Sequence, residues 1–201
     1  MDILTELRSA TAAVHRRLEL DLALLGPGLT RSRYEAFVCG MAGMILPFES
    51  SWDEIPGWGR VLPDYESRRK AGLLLADIQR FQPAPQSPLP LAPGFVAQDC
   101  ETALGVGYVL EGSTLGGAVI AREVLQRLGP HCPAAYLQCY GSGVGTKWKG
   151  FCSALEQHCG DAASALTPSE RAARAERVVL NAVQTFDRAR DWLNRDEALS
   201  A

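Results

Sequence analysis

Apolar residues recur at helical spacing along nearly the whole chain, and no run alternates with a period of two, so the pattern predicts an all-α protein. A first helix is predicted over residues 2–24, ended by the Gly26-Pro27-Gly28 turn. Thr30 stands as N-cap of a long second helix through Tyr34, Phe37, Met41, Met44 and Phe48, with Pro47 as a kink and Pro56-Gly57 as its close. A third helix is predicted over 64–81, and residues 82–93, with five prolines, read as a surface loop. A long apolar helix then runs to Gly129-Pro130. Residues 134–140 allow one or two helical turns before a break at Gly141-Ser142-Gly143. Residues 147–157 are amphipathic, with Trp148, Phe151 and Leu155 on one side. Thr167-Pro168-Ser169-Glu170 starts a last helix, 169–194, that buries Val178, Val179, Ala182, Val183, Phe186 and Trp192. No internal repeat appears, so residues 1–201 read as a single domain.

The long apolar helix is unusual in its glycines. Residues 99–123, DCETALGVGYVLEGSTLGGAVIARE, hold Gly105, Gly107, Gly112, Gly116 and Gly117. Each costs a helix about 1 kcal/mol relative to alanine, so something must require them. Gly105, Gly112 and Gly116 fall on one stripe, which is therefore bare backbone. Two explanations fit: close helix-on-helix packing, or a flat ligand lying against the backbone with Gly116-Gly117 letting the helix bend over it.

Composition narrows the classes of function. With 47% hydrophobic and 21% charged residues in 201, the chain reads as an ordinary soluble globular protein. A net charge of −3 without a basic run speaks against nucleic-acid binding. No apolar run reaches membrane-spanning length, and Asp2, Glu6 and Arg8 break up any signal-peptide core, so no membrane association and a cytoplasmic location are expected. The six cysteines, Cys39, Cys100, Cys132, Cys139, Cys152 and Cys159, form no CxxC pair and read as reduced structural thiols.

Three histidines limit the chemistry. His131 lies in a Gly-Pro-His-Cys-Pro loop, and His158 in the last turn of a helix, where a cation suits the dipole; both have structural explanations. His15 shares a stripe with Arg8, Thr11, Leu18 and Leu22, and Glu19 at i+4 can orient its imidazole. No di-iron ligand set, GxSxG elbow, GxGxxG turn or phosphate loop is present. What remains is one histidine on one helix facing glycine backbone on another, an arrangement able to sandwich a porphyrin.

Thr11, His15 and Glu19 in ATAAVHRRLE, LTRSRYEAF at 29–37, YVLEGSTLGG at 108–117 and GTKWKGF at 145–151 together resemble the haem oxygenases, over residues 5 to about 193. YVLEGSTLGG is most similar to the bacterial enzymes that accompany bacteriophytochromes. The resemblance implies a single-domain multi-helix fold with haem, both substrate and cofactor, between a proximal and a distal helix. His15 would be the axial iron ligand, with Thr11 and Glu19 beside it, and Gly112, Gly116 and Gly117 the distal contacts. Arg8 falls where the family sets a basic residue against a haem propionate, and Lys147 and Lys149 are further candidates for that role or for docking a reductase. Ser113 stands where many members carry an aspartate that anchors water near the iron, which leaves the proton route open.

The implied reaction opens haem with O2 to biliverdin, carbon monoxide and ferrous iron. No flavin or nicotinamide motif is visible, so electrons would come from an external reductant, a ferredoxin or flavoprotein reductase, and biliverdin could pass to a bacteriophytochrome. Two rival readings are a haem carrier or sensor without turnover, which Ser113 favours, and a helical interaction protein whose glycines serve packing alone.

Overall fold

Asp2 starts the first helix, its carboxylate accepting the N–H of Leu4 at 3.0 Å. That helix, α1 (Ile3–Leu22), ends at Ala23 in the left-handed conformation, φ 45°. The computed structural model describes residues 2–81 and 88–195 of the chain. Thr30 caps α2 (Arg31–Ser51) through the N–H of Arg33, and the helix runs through Pro47. It stops before the expected Pro56-Gly57, passing into a 3₁₀ turn at Trp52–Glu54 and then a short α3 (Trp58–Val61).

The helix expected over 64–81 is split. A 3₁₀ turn at Tyr65–Arg68 and an extended Arg69 precede α4 (Ala71–Phe81). The cause lies outside the segment: Glu49, buried on α2, accepts the backbone N–H groups of Lys70 at 2.6 Å and Ala71 at 3.1 Å. A remote carboxylate thus caps α4, satisfying amides that an unbroken helix would have paired internally. Burial raises the Glu49 carboxyl above the usual carboxylate range.

Of the loop expected at 82–93, residues 82–87 lie outside the described residues, and 88–93 are non-helical. Ala92 donates to the carbonyl of Gly43 on α2 at 2.8 Å, and a Cβ at Gly43 would lie 2.7 Å from the carbonyl of Pro90. Asp99 then caps α5 (Cys100–Leu128) through the N–H of Thr102. Contrary to the sequence expectation, α5 is long and apolar enough to cross a membrane, but half of its most apolar window is buried in the core.

Beyond Gly129 the chain forms a 3₁₀ turn at Tyr136–Gln138 and another at Gly141–Gly143. The second, expected as a break, leads directly into α6 (Val144–Cys159). A reciprocal capping box between Thr167 and Glu170 opens α7 (Pro168–Leu193). The helices surround one hydrophobic core: α5 and α1 both pack against α7, and α2 pairs with α4. No strand occurs among the described residues, and all six cysteines are free thiols.

Candidate functional site

The α1 stripe read from the sequence forms one wall of a cleft of about 480 Å³. Arg8, Thr11, His15 and Glu19 line it from α1, and Gly112, Ser113 and Gly116 line it from α5. Its volume lies inside the range of about 300–1,000 Å³ typical of small-molecule sites.

His15 sits edge-on to Phe186 of α7, ring centroids 5.3 Å apart, and Nε2 lies 3.5 Å from Oε1 of Glu19. Its side chain is 53% exposed, which separates it from an ordinary core histidine: the ring is held on one edge and open to the cleft. Thr11 is buried, and its hydroxyl donates to the carbonyl of Leu7 at 2.7 Å, one turn back on its own helix. Arg8 is exposed at the cleft edge beside Tyr108.

Across the cleft the glycine stripe divides into two functions. A Cβ at Gly116 would meet nothing within 4 Å, and one at Gly112 would meet only the Trp148 ring, at 3.6 Å. Those two glycines face the cleft. Gly105 belongs to the core, where a Cβ would lie 2.5 Å from Cβ of Asn181 and 2.8 Å from the carbonyl of Val178, so it permits the α5–α7 contact. Gly117, expected as a ligand contact, points away from the cleft, and a Cβ there would lie 2.4 Å from the carbonyl of Leu137. The packing explanation therefore holds at Gly105 and Gly117, while Gly112 and Gly116 leave bare backbone on the cleft.

Lys147 is also placed elsewhere. Its ammonium donates to Asp64 at 2.8 Å and to the Ser67 hydroxyl at 2.6 Å, while its neighbour Trp148 lines the cleft. Lys149 is exposed and does not line it. His158 meets Oε1 of Glu101 at 2.7 Å, and His131 lies outside the cleft, its carbonyl accepting from Arg80. Among the described residues no cluster of three His, Cys, Asp or Glu side chains is placed to hold a metal ion.

Several wall residues escaped the sequence reading. Met41 and Met44 of α2 line the cleft, as do Tyr108 and Tyr136; their apolar spacing had marked the methionines only as core. A buried charge cluster behind the glycine wall was missed as well. Oε2 of Glu111 accepts from Nη1 of Arg68 at 2.6 Å, while Oε1 accepts from the Lys70 ammonium and from the Tyr140 hydroxyl at 2.9 Å. Arg68 also donates through Nε to Asp64 at 2.7 Å. Burial pushes the Asp64 carboxyl upward, but hydrogen bonds from Arg68 and Lys147 outweigh it and hold the group below the usual carboxylate range. Only the glutamate before Gly112 could have hinted at this cluster, since a charge on an apolar helix needs a partner.

No family model and no curated protein matches the chain. Solved structures do, among them two haem oxygenases. One is the haem oxygenase of Neisseria meningitidis in its NO- and CO-bound forms, TM-score 0.70, 20% identical, covering 97% of this chain and 92% of that one. The other is the haem oxygenase of Leptospira interrogans, TM-score 0.70, 12% identical, covering 97% of this chain and 100% of that one. At these identities the likeness is one of architecture: the chain has the all-helical fold seen in haem oxygenases, over 97% of its length.

Proposed function

We propose that the chain is a haem oxygenase, cleaving haem with O2 and externally supplied electrons to biliverdin, carbon monoxide and ferrous iron. The observation that carries this reading is His15, open to a cleft of about 480 Å³ whose opposite wall is the bare backbone of Gly112 and Gly116. A flat macrocycle needs this combination: a nitrogen donor on one side, and on the other no side chain standing in its plane.

Haem would supply the iron that activates oxygen and the macrocycle that is consumed. The protein's own groups bind and orient it. His15 would ligate the iron, its ring set by the edge contact with Phe186 and flanked by the Glu19 carboxylate. Arg8 at the rim would meet a propionate through a charge-assisted hydrogen bond. Apolar walls from α2 and α7, with Met41, Met44 and Phe186, exclude water from the macrocycle's faces. Gly112 and Gly116 let the α5 backbone approach where a larger residue would compete with a small gas. Thr11 and Ser113 spend their hydroxyl protons on their own helices, so each offers the cleft acceptor lone pairs.

Electrons would come from a ferredoxin or flavoprotein reductase. The likeness of YVLEGSTLGG to the phytochrome-associated enzymes supports a bacteriophytochrome as biliverdin acceptor, in the cytoplasm. A haem carrier without turnover is the second reading, favoured by Ser113 in place of an aspartate.

The test is to mix the purified protein with haemin, add a reductase system and follow the spectrum. A histidine-ligated complex that converts to a biliverdin spectrum is expected; a stable complex without conversion would favour the carrier. His15→Ala should remove ligation and turnover, with partial rescue by imidazole, whereas His131→Ala and His158→Ala should leave both in place.

A further inference from the structure

We propose that a column of aromatic side chains, Trp148, Phe151, Phe48, Trp52 and Tyr65, conducts oxidising equivalents out of the cleft and delivers them to Tyr65 at the surface. The inference rests on the haem reading above and concerns the bound group when peroxide overoxidises it. Trp148 of α6 starts the column: it lines the cleft, and its ring would lie 3.6 Å from a Cβ at Gly112. Trp148 stacks on Phe151, with ring centroids 6.0 Å and planes 18° apart. Phe48 of α2 meets Trp52 edge-on at 5.3 Å, and Trp52 meets Tyr65 edge-on at 5.9 Å. All three spacings fall within the about 4.5–7 Å of packed aromatic pairs.

Gly107 joins the two halves of the column. It neither lines the cleft nor admits α7 or the turn at Leu137, so the other glycines of α5 do not account for it. A Cβ there would lie 3.0 Å from two ring atoms of Phe151 and 3.9 Å from Cζ of Phe48, so rings from α6 and α2 come together across bare backbone. The helix gives up about 1 kcal/mol for that glycine. Phenylalanine does not oxidise at the potentials at which tryptophan and tyrosine do. Phe151 and Phe48 are therefore the packed medium through which an electron tunnels from Trp52 to Trp148.

Trp52 and Tyr65 differ in what they can do with a proton. Nε1 of Trp52, 4% exposed, is buried without a hydrogen-bond partner among the described residues, and the Arg69 guanidinium lies 5.3 Å over the ring. An oxidised Trp52 thus keeps its proton and its positive charge beside a fixed cation, and passes the deficit on. Half-buried Tyr65 donates its hydroxyl to Oδ1 of Asp53 at 3.3 Å, and Arg69 holds that carboxylate in place at 3.0 Å. The steps balance. One electron passes from Trp148 to the peroxide-oxidised group in the cleft, Trp148 is refilled from Trp52 and Trp52 from Tyr65, while the phenolic proton moves to Asp53. What remains is a neutral tyrosyl radical at the surface; a soluble thiol returns its hydrogen atom, and Asp53 releases its proton to water. Tyr108, 5.7 Å from Trp148, and Met41 both line the cleft and are spared.

The experiment adds hydrogen peroxide to haemin-loaded protein with a nitroso spin trap and maps the trapped peptides by mass spectrometry, which reads where the radical stops rather than turnover. Wild type should carry the adduct on Tyr65, and apo protein treated alike should not. Trp52→Phe, with Tyr65 still in place, should lose most of the Tyr65 adduct and gain adduct on Tyr108 and sulfoxide on Met41. Tyr65→Phe, a surface change that leaves the core intact, should likewise move the adduct to Tyr108. An unchanged Soret band on haemin uptake shows that each variant keeps its cleft. No Tyr65 adduct in wild type, equal adduct in the apo protein or in Trp52→Phe, or no gain at Tyr108 in Tyr65→Phe would each overturn the inference and leave the haem reading intact. Wild-type protein that takes up no haemin would overturn the functional reading, and the inference with it.

Discussion

Arg68 reaches from the turn before α4 to place Nη1 2.6 Å from Oε2 of Glu111, the residue immediately before Gly112. Both side chains are almost wholly buried, 1% and 6% exposed. The glycine wall is therefore held in register from behind by an ion pair that never reaches the cleft. Glu111→Ala would remove the ion-pair partner of the buried Lys70 ammonium and leave Arg68 with Asp64 alone, and breaking such a buried pair from one side costs about 3–5 kcal/mol. Urea unfolding of the apo protein should show that loss; a change within about 0.5 kcal/mol would place the pair among marginal surface bridges.

Substitutions along the glycine stripe should separate folding from binding. Gly105→Leu collides with the backbone of Val178 and Ala182 and should unfold the protein or lower its melting temperature sharply. Gly116→Leu enters open space and should keep the helix content while weakening haemin binding by about tenfold or more, the worth of about 1.4 kcal/mol. Circular dichroism and haemin titration on the same samples distinguish the two; equal loss of folding from both would reduce the stripe to a packing seam.

Arg8→Glu should weaken haemin binding by about fivefold at moderate salt, as expected for a partly exposed charge contact. The deficit should widen at low ionic strength, where screening is weaker. An affinity that is the same at every salt concentration would return Arg8 to the solvated surface.

Acid stability should depend on Asp64. Its carboxyl is held low in the folded state, so its contribution is present above the unfolded carboxylate value and is lost as pH falls through the folded one. Asp64→Asn should be less stable than wild type near neutrality, and the gap should close on acidification through that window. Parallel urea-melt curves down to low pH would show that Asp64 is not the linked group.

The sequence carried the helices well because capping is local: Asp2, Thr30, Asp99 and Thr167 each hold their own first turn. It failed at residues 64–81 because the cap of α4 comes from Glu49, 21 positions from the amide it serves. The same contrast applies to the site. His15 and Glu19 are one turn apart and visible together, whereas the neighbours that distinguish Gly116 from Gly117 lie on other elements, open cleft in one case and the carbonyl of Leu137 in the other. Lys147 could not be told from a ligand-binding lysine until Asp64 was seen beside it.

The cleft's two ends of chain bear on its birth as well as its use. Phe186 of α7 braces His15 of α1, and Arg190 pairs with Asp21 across 169 positions. A ribosome adding about 5–20 residues each second leaves α1 without that brace until the last helix has emerged. A haem-sized ligand meeting the nascent chain before then would find the histidine but no floor beneath it, so capture should wait until α7 has emerged and closed on α1.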